Sequence, residues 1–180
     1  MELIDILDEN GIKTGEIISR EEVHKKGLWH RAIVAAIINE NNEILLQQRS
    51  ANKEKKPNMW DISVAGHISA GQDSLQATIR EISEEVNIYL SRDIGVKDFR
   101  FMLSYRKQQV FSKDFIENQF YDFFILRQVG INEKNIRFQS SEVQAIKFVD
   151  ITTLNKMREN NELVERNECY DVLTEYLFKM

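Results

Sequence analysis

Residues 66–88 of the 180-residue chain have the sequence GHISAGQDSLQATIREISEEVNI. Four apolar residues within it follow one another at helical spacing and form one stripe: Leu75, Ile79, Ile82 and Val86. Asp73, with Gln76 three residues later, has the pattern of a capping box in which Asp replaces Ser or Thr. We therefore predict a helix over about 75–86, after a glycine-bounded loop at 66–71, with Asn87 as its C-cap.

Three carboxylates of this helix, Glu81, Glu84 and Glu85, lie at positions i, i+3 and i+4 on the face opposite the stripe. Like charges at these spacings destabilise a helix by about 0.2–0.5 kcal/mol per pair. Arg80 can pair with Glu84 but cannot neutralise all three. A hard divalent cation would reverse the penalty, and Mg²⁺ bridges carboxylates to substrate phosphates. The alternative is a solvated acidic face, which is common in helices.

The stretch resembles the Nudix box, G-x5-E-x7-R-E-U-x-E-E-x-G-U, in which U is a bulky apolar residue. Seven of the nine specified positions match: Gly66, Arg80, Glu81, Ile82, Glu84, Glu85 and Ile88. The resemblance implies an α/β fold, a Nudix-type αβα sandwich with a mixed β-sheet. It also implies that Glu81, Glu84 and Glu85 hold Mg²⁺ or Mn²⁺ and act in catalysis.

Two positions depart from the box, since Gln72 replaces its first Glu and Asn87 replaces its last Gly. In the family the first Glu supports the box arginine, here Arg80. Gln72 can still accept a hydrogen bond from Arg80, with less charge assistance than a carboxylate gives. We therefore expect Gly66, Gln72 and Arg80 to have structural roles, and Asn87 to be a mild change because Asn tolerates the left-handed conformation.

The remaining chain predicts more strands than helices, without a composition break that would mark a domain boundary. Strands are predicted at 2–7, 12–18, 32–38, 44–48, 60–65, 101–105, 120–126 and 144–149, and helices at 20–26, 151–157 and 163–178. We predict a single domain over 1–180. It consists of an N-terminal β-hairpin extension (1–28), the box (66–88) and a C-terminal helix (162–180).

Composition limits the classes of function and partner. The net charge is -5, with 29 acidic and 24 basic residues, so the chain lacks the basic excess of a general nucleic-acid binder. We therefore expect no nucleic-acid partner. We expect no membrane partner, because no stretch approaches the roughly 20 apolar residues of a membrane span. One cysteine and an N-terminus without an apolar leader indicate a soluble, cytoplasmic protein. A homodimer is an expectation from the family, and no periodic interface stripe supports it.

Over about residues 1–150 the chain resembles the isopentenyl-diphosphate-isomerase-like branch of Nudix proteins. The segments 2–15 and 24–31, and then Arg49, Lys53, Pro57 and Trp60 in order, carry this resemblance. True isomerases of this type have an acid/base cysteine just before the Gly-His pair, where this chain has Ala65. Cys169, in the predicted C-terminal helix, is expected to be a buried core residue.

The resemblance implies a second metal site. His24, His30 and His67 match positions that bind a metal in the isomerases, and Glu117 matches an accompanying carboxylate, whereas Gln119 replaces another. Three imidazoles and a carboxylate suit a transition metal. The alternative is that each histidine is an ordinary hydrogen-bonded or surface residue.

Arg49 and Lys53 match diphosphate-contacting positions of the same branch, and Lys55 and Lys56 add positive charge to their loop. A guanidinium group can hold phosphate with two hydrogen bonds, which favours Arg49. The alternative is a solvated basic loop.

Further pocket candidates rest on weaker patterns. Glu142 precedes the last strand, where Nudix enzymes often place an extra metal-binding or basic carboxylate. Trp60 is a candidate substrate contact, with core packing as the default for both Trp29 and Trp60. Three phenylalanines could line the pocket, with core packing again the default: Phe111, Phe115 and Phe120.

Together these patterns predict metal-dependent hydrolysis of a diphosphate linkage in a nucleoside-diphosphate-like small molecule. The first alternative is an isopentenyl-diphosphate isomerase, against which Ala65 argues. The second is a non-catalytic Nudix module that senses a ligand, against which the intact metal carboxylates argue. Nothing in the sequence names the substrate, because loops outside the box choose the groups attached to the diphosphate.

Overall fold

A computed structural model describes residues 1–86, 99–138 and 140–179, with the backbone alone at 135. Its elements, in chain order, are β1 (Leu3–Leu7), β2 (Lys13–Ser19), α1 (Arg20–Lys26), β3 (Trp29–Ile38), β4 (Ile44–Arg49), β5 (Trp60–Ile62), β6 (Val64–His67), α2 (Ser74–Glu85), β7 (Phe99–Ser112), β8 (Phe115–Arg127), β9 (Val143–Val149), α3 (Ile151–Glu159) and α4 (Asn167–Phe178). A short 3₁₀ turn, Glu133–Asn135, precedes β9. Among the helices described, none has the length and apolar character that a membrane span needs.

The strand β3 organises the sheet. It pairs with β8 in parallel along its full length, and with β1, β4 and β6 antiparallel. The sheet is therefore mixed, as the sequence predicted. The near-continuous apolar run of β3 fits its position, because a central strand is covered on both faces. The hairpin β7–β8 and the pair β4–β9 extend the sheet on either side.

Helices cover both faces of this sheet. Alternate residues of β3 enter two cores, Val34 and Ala36 in the first, and Ile33 and Ile37 in the second. The first core packs against α3 and α4, and the second against α2. This arrangement confirms the predicted αβα sandwich.

The sheet forks between β3 and β4, which share a single described pairing, Ile38 with Ile44. Beyond that point β6 pairs with β3, whereas β5 pairs with β4. Ser63 stands between β5 and β6, where its Oγ accepts from Ile37 N (2.8 Å) and donates to Leu45 O (2.5 Å). The predicted single strand at 60–65 is therefore two strands, because its halves serve different branches of the fork.

Local sequence signals account for the N-terminal hairpin and for α2. The β1–β2 turn has Gly11 at φ 82, a left-handed conformation that glycine adopts readily. At the start of α2 the predicted capping box is present. Gln76 N donates to Asp73 Oδ1 (2.8 Å), and Asp73 N donates to Gln76 Oε1 (3.1 Å). The predicted C-cap Asn87 and the box residue Ile88 lie outside the described residues.

Three further predicted elements have wrong bounds. The strands expected at 101–105 and 120–126 are parts of β7 and β8, a hairpin with strands of 14 and 13 residues. The C-terminal helix begins at Asn167 rather than at 162. Residues 162–164 instead run along the edge of β5, where Trp60 N donates to Glu162 O and Val164 N donates to Trp60 O. These backbone bonds to Trp60 replace a first helical turn.

Candidate active site

A cavity of about 1110 Å³ occupies the fork of the sheet. Both branches line it, with Ala32, Ala65 and His67 on one side and Arg49 on the other. Most of the predicted site residues meet there: Arg49, Lys53, Gly66, His24, His67, Arg80, Glu81, Glu84, Glu85, Glu117 and Glu142.

The last turns of α2 deliver the box carboxylates to this cavity. Glu81 is 9% exposed and lies directly against Gly66, where a Cβ would overlap its carboxyl group. Glu85 is partly buried and accepts a hydrogen bond from Gln47 Nε2 (3.0 Å). Gly66 is therefore the one box glycine whose missing side chain makes room for a metal-ligand candidate.

Burial changes the protonation of these carboxyl groups. Burial and, next to it, the charge of the nearby Glu81 together raise the pKa of Glu85 to about 8. The pKa of Glu81 is also raised, first by burial and then by Glu84, although Arg80 opposes the shift. A cation beside this pair would favour the charged forms.

Arg80 holds the box together. Its Nη2 lies 2.9 Å from Glu81 Oε1 and also donates to His67 O (3.0 Å), and its Nη1 lies 3.0 Å from Glu84 Oε2. Its Nε donates to Gln72 Oε1 (3.3 Å). Gln72 thus contacts the arginine that the first box Glu contacts by family resemblance, through a neutral acceptor.

Among the described residues, one group has its ligand atoms within 4.8 Å of one another, and it consists of His24, His30 and His67. The box carboxylates do not form such a group, because Arg80 engages Glu81 and Glu84 while Glu85 faces Gln47. The three box carboxylates therefore line one cavity, as the sequence predicted. Their side chains would have to turn toward one another to share a cation.

The three imidazoles are oriented by their neighbours. His24 Nδ1 lies 2.8 Å from Arg20 O, and His30 Nδ1 lies 2.9 Å from Leu28 O. These carbonyls can only accept, so both rings carry their proton on Nδ1 and direct the Nε2 lone pair inward. His24 Nε2 and His67 Nε2 are 3.2 Å apart. Backbone carbonyls that fix a tautomer in this way are typical of metal-ligating histidines.

Burial also keeps the histidines neutral. It lowers the pKa of His24 to about 4, with His30 and Lys55 adding to the effect, and lowers the pKa of His30 and His67. Neutral imidazole is the form that binds metal. Glu117 Oε1 lies 3.9 Å from His24 Nε2, as the isomerase-like resemblance implies, but it is also paired with Lys55.

Gln119 takes the position at which the resemblance implies a carboxylate. Its Nε2 lies 3.0 Å from His30 Nε2 and 3.1 Å from His67 Nε2, and its Oε1 accepts from the Tyr121 hydroxyl. With its oxygen engaged by Tyr121, Gln119 presents its amide N–H₂ group to the histidines. It therefore offers them a hydrogen-bond donor in place of a negative charge.

The basic loop between β4 and β5 closes another side of the cavity. Arg49 is held by its own loop, with Nε and Nη2 donating to Lys55 O (3.1 and 3.0 Å). Lys53 pairs with Glu142, and Lys55 pairs with Glu117 while lying 3.5 Å from the ring centroid of Phe115. Burial lowers the pKa of both lysines. Cations and carboxylates therefore neutralise each other in pairs across the cavity.

Only some of the aromatic residues predicted as pocket candidates line the cavity. Phe111 and Phe115 line the cavity, and Phe115 stacks on His24 at 4.6 Å between ring centroids. Phe120 instead packs against Trp29. Trp60 does not line the cavity; it packs against the first core with Lys147 over its ring. These contacts favour the default of core packing for Trp60 over the predicted substrate contact.

One buried ion pair was missed by the sequence analysis. Asp61 is fully buried and accepts from Arg166 Nε (2.7 Å) and Nη2 (3.0 Å). Burial alone would lower the pKa of Arg166, but Asp61 outweighs it and holds that pKa well above its ordinary value. A lone acid in the short apolar stretch Trp60–Ile62 was a signal that a cation must pair with it. Nothing in the sequence indicated which cation.

The residue at the position of the isomerase cysteine, Ala65, cannot act as an acid or a base. Ala65 lines the cavity on β6, opposite Val34. Cys169 is fully buried in α4, with its Sγ 3.5 Å from the Tyr105 hydroxyl and outside the cavity lining. The predicted core role of Cys169 is confirmed.

Comparisons with known proteins identify a family and several similar chains. The NUDIX domain profile matches residues 28–167. An Arabidopsis thaliana protein, Nudix hydrolase 3, is 39% identical over 82% of the chain, although the match spans 19% of that relative's length. An uncharacterised Nudix hydrolase of Listeria monocytogenes is 33% identical, covering 91% of this chain and 89% of its own.

The isomerase-like resemblance and the fold are also supported. An isopentenyl-diphosphate Delta-isomerase of Pectobacterium atrosepticum is 36% identical over 46% of each chain. The crystal structure of DR0079 from Deinococcus radiodurans superposes with a TM-score of 0.70 at 19% identity, covering 95% of this chain and 97% of that one. The profile match and these relatives show that the chain belongs to the Nudix hydrolase family, whose members act on phosphorus-containing acid anhydrides and generally use divalent metal ions.

Proposed function

We propose that this protein hydrolyses a diphosphate linkage in a nucleoside-diphosphate-like small molecule, with Mg²⁺ or Mn²⁺ held by Glu81, Glu84 and Glu85. The observation that carries the proposal is the placement of the buried Glu81 and the partly buried Glu85, both with raised pKa values, in a cavity that basic residues also line. Raised pKa values of this kind, in a cleft, are typical of functional sites.

The donor set suits a hard cation. All three box side chains offer carboxylate oxygens, which Mg²⁺ and Mn²⁺ prefer. Beside them, the buried Gln47 Oε1 has no hydrogen-bond partner among the described residues, although its amide nitrogen is bonded to Glu85. An unpaired buried oxygen next to the Glu85 carboxyl group is favourable for a cation and its water, and costly otherwise.

The side chains divide the remaining work. Bound divalent ions would neutralise the diphosphate and make water a stronger nucleophile. Arg49 and Lys53 would hold phosphate oxygens, and Lys53 would release Glu142 as it turns to the substrate. Glu142 and the box carboxylates are then the candidate proton acceptors for the attacking water, and the products are two phosphorylated fragments.

Glu85→Gln tests the proposed site, because it keeps the shape and the contact to Gln47 but cannot carry charge. We expect turnover of any cleaved diphosphate compound to fall at least about 100-fold, in the range typical of lost catalytic acid/base groups. Glu159→Gln is the matched control, since Glu159 is the exposed last residue of α3 just as Glu85 ends α2. Equal turnover in both variants would show that Glu85 has no catalytic role.

We further propose that His24, His30 and His67 bind a transition metal ion, with Glu117 as an additional ligand. Support comes from the converging Nε2 atoms and from the neutral state of the rings. Metal content of protein dialysed against Zn²⁺ should show about one tightly held ion that Glu85→Gln retains and His24→Gln loses. Retention of that ion by His24→Gln would rule out the histidine site.

The two alternatives keep distinct outcomes. Deuterium uptake into isopentenyl diphosphate in heavy water, without cleavage of any diphosphate, would favour the isomerase despite Ala65. Tight binding of one compound without turnover would favour a ligand-sensing module. A cytoplasmic location and a homodimer stay predictions from composition and family.

A further inference from the structure

The C-terminal segment 162–166 forms part of the cavity wall, although it lies beyond the stretch that resembles isomerases. Three of its residues, Val164, Glu165 and Arg166, line the cavity. Contacts along its length hold the segment in place. Its backbone pairs with Trp60, Leu163 is 6% exposed in the first core, and Lys107 Nζ donates to Glu165 O (2.8 Å). A fixed backbone of this kind can hold an arginine in one orientation.

The side chain of Arg166 is largely buried and is held by two neighbouring side chains. Its side chain is 10% exposed, and two of its nitrogens grip the fully buried Asp61 carboxylate. The guanidinium carbon lies 5.5 Å from the ring centroid of Tyr121. Asp61 takes one edge of the planar group, so the group can engage a second anion only through its remaining N–H donors.

The same carboxylate faces a second guanidinium. Arg49 Nη1 lies 3.9 Å from Asp61 Oδ2, and Arg49 also lines the cavity. Two guanidinium groups therefore share one carboxylate, and Glu165 on the same wall is paired with Lys107, which leaves an excess of one positive charge. In the low dielectric of a partly closed cavity, such an excess attracts an anion more strongly than it would at the surface.

The wall also lies close to the reaction site. Gln47 and Asp61 are opposite each other in the β4–β5 pair, so their side chains leave the same face of the sheet. Gln47 bonds Glu85, and the charge of Asp61 contributes to the raised pKa of Glu85. A phosphoryl group at the arginines would thus be a near neighbour of a cation at the box carboxylates.

We propose that Arg49 and Arg166, ordered by Asp61, form a phosphoryl-binding subsite that holds one phosphate of the substrate's diphosphate group. This inference rests on the proposed function and adds to it a binding residue, Arg166, from outside the box and the basic loop. Planar guanidinium groups suit the task because each can donate two parallel hydrogen bonds to phosphate oxygens.

The test uses inorganic pyrophosphate as the probe, titrated calorimetrically into metal-free protein, so that the metal site does not contribute. The double variant Asp61→Asn with Arg166→Gln removes the guanidinium without leaving a buried unpaired charge and without altering the net charge. We expect it to bind pyrophosphate at least tenfold more weakly than the wild-type protein. Arg166→Lys should lie between the two, because it keeps the charge but loses the paired donors.

Arg158→Lys is the matched control. Arg158 also pairs with an aspartate, Asp171, near the C-terminus, but it lies outside the cavity lining. It should bind pyrophosphate as the wild-type protein does. If the double variant fails to fold, Arg166→Lys and a nitrogen-15 NMR titration of the arginine Nε signals of the wild-type protein decide the matter.

Wild-type pyrophosphate affinity in the double variant, or an unmoved Arg166 signal during the titration, would overturn the subsite. The proposed function fails in a different way, through absent turnover. Pyrophosphate binding that depends on Arg166 in a protein without turnover would leave the subsite standing and remove the hydrolase. Turnover in a protein whose pyrophosphate binding does not depend on Arg166 would support the hydrolase and remove the subsite.

Discussion

Burial gives Glu85 a pKa of about 8, so this carboxyl group is largely protonated at neutral pH until a cation takes the place of the proton. In the unfolded chain the same group has a pKa near 4.5. Between these two values the folded protein binds a proton that the unfolded chain releases. The stabilising contribution of Glu85 is therefore fully present below about pH 4.5 and is lost as the pH rises through about 8.

Glu85→Gln should remove this pH dependence, because glutamine cannot ionise. In EDTA the variant should gain stability relative to the wild-type protein between pH 5.5 and 8.5, by about 3 kcal/mol, because about 2.5 pH units lie between pH 5.5 and the raised pKa and each corresponds to about 1.36 kcal/mol. Urea unfolding at the two pH values measures the difference. Glu159→Gln should follow the wild-type curve, and an unchanged pH dependence in Glu85→Gln would contradict the raised pKa.

Single residues differ in how well the sequence reveals them. The contact of Arg80 with Gln72 spans 8 positions and was predicted, because the box resemblance names both partners. The contact of Arg166 with Asp61 spans 105 positions and was not. A charge pair at that separation leaves no periodic trace in either segment, so only the fold can bring the partners together.

The fork between β3 and β4 shows how one side chain shapes two elements. Ser63 occupies the point where β5 ends and β6 begins, fully buried, and bonds the backbones of both branches. It satisfies one N–H and one C=O that the diverging strands cannot satisfy with each other. The fork that it holds open is also the place of the cavity.

Ser63→Ala should therefore destabilise the protein by about 1–3 kcal/mol, the usual cost of leaving buried polar groups unpaired. Thermal or urea unfolding measures the loss, with Ser63→Thr as a variant that keeps the hydroxyl. The exposed Ser112→Ala provides a surface control and should be close to neutral. A Ser63→Ala protein as stable as the wild type would mean that the two backbone groups find other partners.

Element boundaries follow from the sequence only where the signal is local. The start of α2 was predicted because its capping residues, Asp73 and Gln76, lie within one turn. The start of α4 was not, because residues 162–164 pair with β5, more than 100 positions earlier in the chain. The division of 60–65 into two strands has the same cause, since each half follows a different partner strand.

At the scale of the whole molecule, the mixed sheet brings carboxylate and imidazole side chains to one cavity. Oxygen ligands from α2 and imidazoles from α1 and β6 line it, and the basic loop and the C-terminal segment supply cations. The class of fold was predictable, because the apolar run of β3 and the stripe of α2 require burial on both sheet faces. The internal pairing of lysines with Glu117 and Glu142 was not, because it depends on how loops fold over the cavity.

The proposed hydrolase activity is best tested by metal-dependent cleavage of a diphosphate in ¹⁸O-labelled water. Purified protein would be incubated with nucleotide sugars, dinucleotides, nucleoside diphosphates and isopentenyl diphosphate, with Mg²⁺, Mn²⁺ or EDTA, and the products weighed by mass spectrometry. We expect cleavage of at least one compound with either metal, none in EDTA, and one ¹⁸O atom in one of the two phosphorylated fragments. Intact substrates under every metal condition would contradict the proposed activity.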